Sequence, residues 1–280
     1  MRKIDTHNVI ASVKAACITA NRSVPEDVAR SLNTAQMTEK SPTGKIILSQ
    51  INNNIKIAHE KLLPICQDTG IVVVFVEIGT DCYIDGSLTE AINEGVRQGY
   101  DEGFLRKSVV SDPLQRKNTG DNTPAIIHIT EVPGNAVKMI IAPKGGGCEN
   151  VSKVLMLTPS DSRGKWKDIV VEWVRNYGAN ACPPVIVGVG IGGNFESCAI
   201  MAKHALVSRT VGSPHSDAYY DHIERELLER INNSGVGPMG VGGINTALAV
   251  FIESAPCHIA SLPLAINLNC HATRHLTVSL

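Results

Sequence analysis

Apolar positions along this chain follow two periods. Ile46, Ile47, Ile51, Ile55 and Ala58 recur at helical spacing and predict an amphipathic helix. Ser41 is placed to cap it, with Pro42 at its first position. Val24-Pro25-Glu26-Asp27 puts proline and acids where an earlier helix would begin. Residues 1–60 therefore read as a helical N-terminal part. The pattern then changes. Ile71 to Ile78 is an unbroken apolar run and predicts a buried strand. Ser87-Leu88-Thr89-Glu90 has the form of a capping box, so a helix should run from there to about Tyr100. Ala125 to Glu131 and Val137 to Ile141 predict two strands, and Pro133-Gly134-Asn135 between them predicts a hairpin. Helices follow at Trp166 to Tyr177, Asn194 to Leu206 and Asp217 to Asn232, with strands at Val185 to Ile191, Ala247 to Glu253 and Leu262 to Leu268. This alternation places the chain in the mixed α/β class. No repeat, linker or clean boundary is visible, so residues 1–280 read as one domain.

Composition narrows the function classes. The net charge of −1 over 280 residues gives no basic surface for nucleic acid or an anionic membrane, so any anion site must be local. Aromatic residues make up 4%, too few for a base-stacking platform. The N-terminus, Met1 to His7, lacks the apolar core of a signal peptide, which favours a cytosolic location and reduced thiols. The eight cysteines, at 17, 66, 82, 148, 182, 198, 257 and 270, form no CxxC pair, which argues against a zinc ribbon or a thioredoxin-type site.

Several stretches combine reactive groups. Cys66-Gln67-Asp68-Thr69-Gly70 sets a thiol, an amide, a carboxylate and a hydroxyl at the mouth of the predicted buried strand. A lone cysteine there is more often a small buried hydrophobe than a ligand. Arg106, and the polar segment Arg116 to Pro124, suit recognition of a carboxylate as well as simple solvation. Lys144-Gly145-Gly146-Gly147 suits a backbone nest for an anion. Gly188-Val189-Gly190-Ile191-Gly192-Gly193 matches the dinucleotide pattern after a strand and before a helix, but the acid expected about 20 residues on is missing. Cys66, Cys182 and Cys270 share one design, a loop beside a buried strand. Cys17 and Cys198 lie in helical patterns and read as core. Cys82 and Cys257 carry no chemistry, and Cys148, after the glycines, is ambiguous. Three thiolates without a fourth suggest an iron–sulfur cluster with one iron open to substrate oxygen.

These motifs resemble the α subunit of the two-subunit iron–sulfur hydro-lyases, class I fumarate hydratase and L(+)-tartrate dehydratase. The residues that carry the likeness are Cys66 to Gly70, Leu105-Arg106, Asn118-Thr119-Gly120, Lys144 to Gly147, Ala181-Cys182-Pro183-Pro184, and Cys270 with Arg274. The resemblance implies loop ends converging on a 4Fe–4S cluster held by Cys66, Cys182 and Cys270, its fourth iron unligated by protein. It also implies a 2-hydroxy dicarboxylate substrate bound by Gln67, Asp68, Arg106, Lys144, Gly145, Gly146 and Gly147, with Asp68 and Arg106 catalytic. Single-chain relatives carry a further C-terminal domain with the catalytic base, so the resemblance implies a separate β subunit here and little activity without it. Lys144 before the glycines resembles the fumarase branch more closely, which favours malate and fumarate over tartrate. Cys148-Glu149 departs from that branch, where small polar residues stand.

Overall fold

The structure, a computed structural model, describes residues 1–280. The chain divides into two compact units that it enters more than once. The first comprises Met1–Pro25, Ile55–Gly146 and Arg274–Leu280, and the second Glu26–Asn54 and Gly147–Thr273. No composition shift marks such a division, because it is closed by tertiary contacts and not by a linker. No helix is long and apolar enough to cross a membrane.

The first unit opens with strand β1 (Arg2–Asp5) and helix α1 (Thr6–Arg22). Helices α2 (Glu26–Thr38) and α3 (Pro42–Lys61) follow, and the chain passes between the units within α3. The helical reading of residues 1–60 thus holds for α1 to α3, whereas Arg2–Asp5 pairs in parallel with β3 (Cys82–Asp85). The α3 stripe also differs by position. Gly44, Leu48, Ile51 and Ala58 are buried, but Ile46 is exposed. Ser41 does cap the helix, its Oγ accepting from Gly44 N–H at 3.1 Å.

The central sheet of this unit has the order β10-β5-β2-β4, from β2 (Ile71–Gly79), β4 (Ile126–Val132), β5 (Val137–Lys144) and β10 (Leu276–Ser279). The expected hairpin between β4 and β5 does not form. The fully apolar β2 lies between them, parallel to β4 and antiparallel to β5. The Pro133–Asn135 turn instead wraps the end of β2: Asp81 N–H donates to Gly134 O at 2.9 Å and Gly79 N–H to Ala136 O at 2.8 Å. A strand apolar on both faces is stabilised by a central place, and that outweighs the local turn signal. Val72, Val74 and Val76 pack with Val137, Met139 and Ile141 under α1 and α4 (Leu88–Glu102).

The second unit holds the sheet β6-β9-β7-β8, from β6 (Lys153–Leu157), β7 (Val185–Gly192), β8 (Ala247–Ala255) and β9 (Leu262–Asn269). A one-turn helix, α5 (Gly146–Glu149), precedes β6. Helices α6 (Lys165–Tyr177) and α8 (Ala218–Asn232) cover one face through Val170, Val174, Leu227 and Ile231. Helix α7 (Phe195–Ser208) covers the other, through Cys198 and Ala202 against Ala265. The glycines of the dinucleotide pattern are used here. Gly188 and Gly190 lie inside β7, and a Cβ on either would stand 2.0 Å from a carbonyl oxygen of α7. They let the helix backbone approach the strand, and no phosphate-binding turn is needed to account for them.

Glu39, 1% exposed, ties α2 to the 243–245 loop within this unit. Its carboxylate accepts from the N–H groups of Lys40, Ser41, Ile244 and Asn245 and from Asn245 Nδ2. Burial works to raise its pKa, but these donors together hold it below the ordinary value of 4.5. The stability it contributes is therefore complete above pH 4.5 and is lost as pH falls through the lower, folded value. Glu39→Gln should cost about 2 kcal/mol or more at pH 7 and flatten the acid limb of a stability–pH curve measured by urea unfolding. Gly190→Ala should cost about 2–3 kcal/mol in the same assay, because neither the strand nor the helix backbone can give way.

Candidate functional site

In the first unit the Cys66 loop joins α3 to β2, and nearly all its polar groups are engaged. Ile65 N–H donates to Asn21 O at 2.8 Å. Cys66 is half-buried and its sulfur accepts from Asp68 N–H at 3.4 Å. Gln67 is exposed, with Oε1 3.6 Å from the Cys66 sulfur. Asp68 is bracketed at both oxygens: Oδ1 accepts from Gly70 N–H at 3.0 Å and Oδ2 from Gly146 N–H at 2.7 Å. The anion held by the glycine stretch is thus the chain's own carboxylate. Thr69 is buried and its hydroxyl donates to Arg106 O at 2.7 Å.

Two side chains brace this loop from beneath. Tyr100, fully buried on α4, donates its hydroxyl to Thr69 O at 2.5 Å and lies 3.1 Å from Gly70 O. Burial pushes its phenol pKa up, so it stays a donor. Asn122, also fully buried, donates Nδ2 to Gly70 O at 3.1 Å and accepts Ser108 N–H at 2.7 Å. Gly70 has φ +77°, and a Cβ there would fall 2.7 Å from the backbone of Lys144. The segment Arg116 to Pro124, read as a possible carboxylate-recognising loop, therefore contributes a structural brace through Asn122. Arg106 itself has an exposed side chain, and Lys144 is 7% exposed at the end of β5.

In the second unit Cys182 and Cys270 are half-buried, and their turns are joined. His271, the residue after Cys270, directs both its N–H and its Nδ1 at Cys182 O, at 3.3 and 2.9 Å. Thr273 Oγ1 donates to Cys270 O at 2.8 Å. Cys182 has φ +53°, a left-handed conformation that costs a non-glycine residue about 1–2 kcal/mol. Met239 N–H donates to Pro183 O at 2.8 Å and holds the turn from the other side. Gly147 lies near this turn, since a Cβ on it would be 3.9 Å from Asn180 O. Cys148 is packed in the core, and Glu149 is held by Lys203 and by Asn267 Nδ2 at 3.0 Å.

The cysteines sort by environment. Cys17 and Cys198 are fully buried, and burial pushes the Cys17 thiol up to about 12. Such a thiol is inert. Cys66, Cys182 and Cys270 are each half-buried in a braced turn, and the Cys66 sulfur accepts the Asp68 N–H. This donor chemistry fits a cluster held by three sulfurs. No single unit carries all three, and no group of three or more His, Cys, Asp or Glu side chains stands ready-made around a metal position. Sequence reasoning missed Tyr100, Asn122 and His271. Nothing in the local pattern marks them, since each acts on a carbonyl distant in sequence.

With the fold and these braced turns described, comparison with known proteins gives the class, a hydro-lyase subunit. The fumarate hydratase (fumerase) family matches residues 10–279, and the chain belongs to it. The putative L(+)-tartrate dehydratase subunit alpha of Methanocaldococcus jannaschii is 44% identical over 260 residues, covering 90% of each chain. The L(+)-tartrate dehydratase subunit alpha of Escherichia coli K12 is 31% identical over 258 residues, covering 91% of this chain and 85% of that one.

Asn122→Ala would strand Gly70 O and Ser108 N–H and should cost about 2–3 kcal/mol, against about 1 kcal/mol for Tyr100→Phe. Urea unfolding of the two variants checks the order. Equal losses would mean that Asn122 does not brace both segments.

Proposed function

We propose that this chain is the α subunit of a two-chain hydro-lyase that removes water from a 2-hydroxy dicarboxylate, with L(+)-tartrate as substrate. What carries the reading is the match to tartrate dehydratase α subunits over 90% of the chain. It replaces the malate preference drawn from Lys144, since proteins named for tartrate are similar to this chain throughout. Malate remains the second reading, on the strength of that lysine alone.

Cys66, Cys182 and Cys270 would hold the 4Fe–4S cluster. When bound, a cluster with one iron lacking a thiolate supplies a Lewis acid for the departing hydroxyl. The chain's own residues do the rest on this side. Asp68 is locked between Gly70 and Gly146 and orients substrate or water from a fixed carboxylate. Gln67 and Arg106 are exposed and available to meet a carboxylate, Arg106 through its planar fork. Lys144, Gly145 and Gly147 complete the expected substrate-binding set, beside the Gly146 N–H that Asp68 already occupies. The catalytic base comes from a partner β subunit.

Two measurements test this. Cys66→Ser, Cys182→Ser and Cys270→Ser should each abolish cluster assembly, read as iron and sulfide per chain, whereas Cys17→Ser and Cys198→Ser should cost only packing. A full cluster in Cys66→Ser overturns the ligand set. The anaerobically reconstituted two-chain complex should dehydrate L(+)-tartrate about tenfold or more better than malate in kcat/KM, and the isolated chain should be nearly inactive. Preference for malate would return the assignment to the fumarase branch.

A further inference from the structure

Arg274 is 4% exposed in the first unit, and no role described above uses its charge. We propose that Arg274 is a positioning residue: its buried guanidinium holds the Asp68 carboxylate in its bracket and so sets the Cys66 loop. The geometry stands by itself, and only the catalytic consequence rests on the function proposed above.

Arg274 is tied at one end and faces Asp68 at the other. Nη1 donates to Asn21 Oδ1 at 3.2 Å. Asn21, fully buried, is fixed in turn by donating Nδ2 to Cys17 O at 3.0 Å. Its own carbonyl receives Ile65 N–H, so one residue anchors both Arg274 and the entry to Cys66. Toward Asp68, the place where a Gly145 Cβ would stand lies 3.4 Å from Arg274 Nη2 and 3.0 Å from Asp68 Oδ2. The two charged ends therefore flank the same glycine without a direct ion pair between them.

A cation taken out of water needs an opposing charge near it. No Asp or Glu of the first unit is fully buried, and half-buried Asp68 is the acid placed beside this guanidinium. Arg274 Nε is buried without a hydrogen-bond acceptor, so the guanidinium depends on long-range compensation. The Tyr100 phenol registers both groups, Arg274 drawing its pKa down and Asp68 pushing it up, beneath the larger effect of burial. A planar fork can face Asn21 and Asp68 at once, which a lysine ammonium can do only in part.

Amide hydrogen exchange by NMR on the full chain tests the proposal. Arg274→Gln should speed exchange at Gly146 and Gly70 about tenfold or more while Val72 to Val76 of β2 stay protected, with Arg274→Lys intermediate. In the two-chain complex Arg274→Gln should lower kcat about tenfold and change KM less than about threefold. Unchanged protection at Gly146, or equal loss of protection in β2, overturns it. If Arg274→Gln does not fold, Gly145→Ala makes the test, since it wedges the two groups apart and keeps both charges. It should loosen Gly146 in the same selective way, and a Gly146 amide that stays protected in it also overturns the proposal. A wild-type complex inactive on both tartrate and malate would remove the proposed function and leave the exchange result standing.

Discussion

Two backbone carbonyls, those of Thr69 and Gly70, sit at the start of a buried strand where water cannot reach them. A buried carbonyl without a donor costs as much as a lost hydrogen bond, so the fold must deliver donors to that point. It does so with the Tyr100 hydroxyl from α4 and the Asn122 amide from a loop more than fifty residues downstream. The rest of the first unit follows from this demand. Asn122 also takes Ser108 N–H, which fixes the loop that carries Arg106. Asp68, one residue before, then has a rigid base from which to accept Gly70 and Gly146 N–H groups. Cys66 and Asp68 thus stand directly above a segment whose carbonyls are held from beneath.

The second unit solves a related problem with different groups. Its two cysteine turns are linked because His271 supplies both a main-chain and a side-chain nitrogen to one carbonyl, Cys182 O. The left-handed backbone at Cys182 is a local cost accepted for direction. Elsewhere in the unit Glu39 gathers five donors, and a carboxylate so surrounded stays ionised despite burial. In both units, then, a carboxylate serves as the receptor for backbone N–H groups of a glycine-containing loop. Asp68 does this at Gly146, and Glu39 at Ile244 and Asn245.

The glycine-rich stretches show how one composition serves different ends. Gly188 and Gly190 remove side chains from a helix–strand contact, while Gly146 offers its N–H to a carboxylate. A pattern match to a dinucleotide loop cannot separate these uses, since it records which residues lack a Cβ and not what approaches them.

Local periodicity was enough to place most elements. Helices α2, α3, α4 and α8 and strands β2, β7 and β9 are written in caps, stripes and apolar runs, because these depend on neighbours within a few residues. The cysteine motifs and the residues between them likewise announced the family, since such motifs are short and can be read from neighbouring residues alone. Strand order was not legible: β2 enters between β4 and β5, against a local turn signal, because burial on both faces is a property of the finished sheet. Nor were β1, β6 and β10 legible, short strands that exist only through their partners. Asn122, Tyr100 and His271 read as ordinary polar or aromatic residues until folding placed each against a distant carbonyl, and Arg274, though part of the family motif, gave no sign in the sequence of the Asn21 amide oxygen it meets. Satisfying buried polar groups is a three-dimensional requirement, and only the tertiary structure decides which residue meets it.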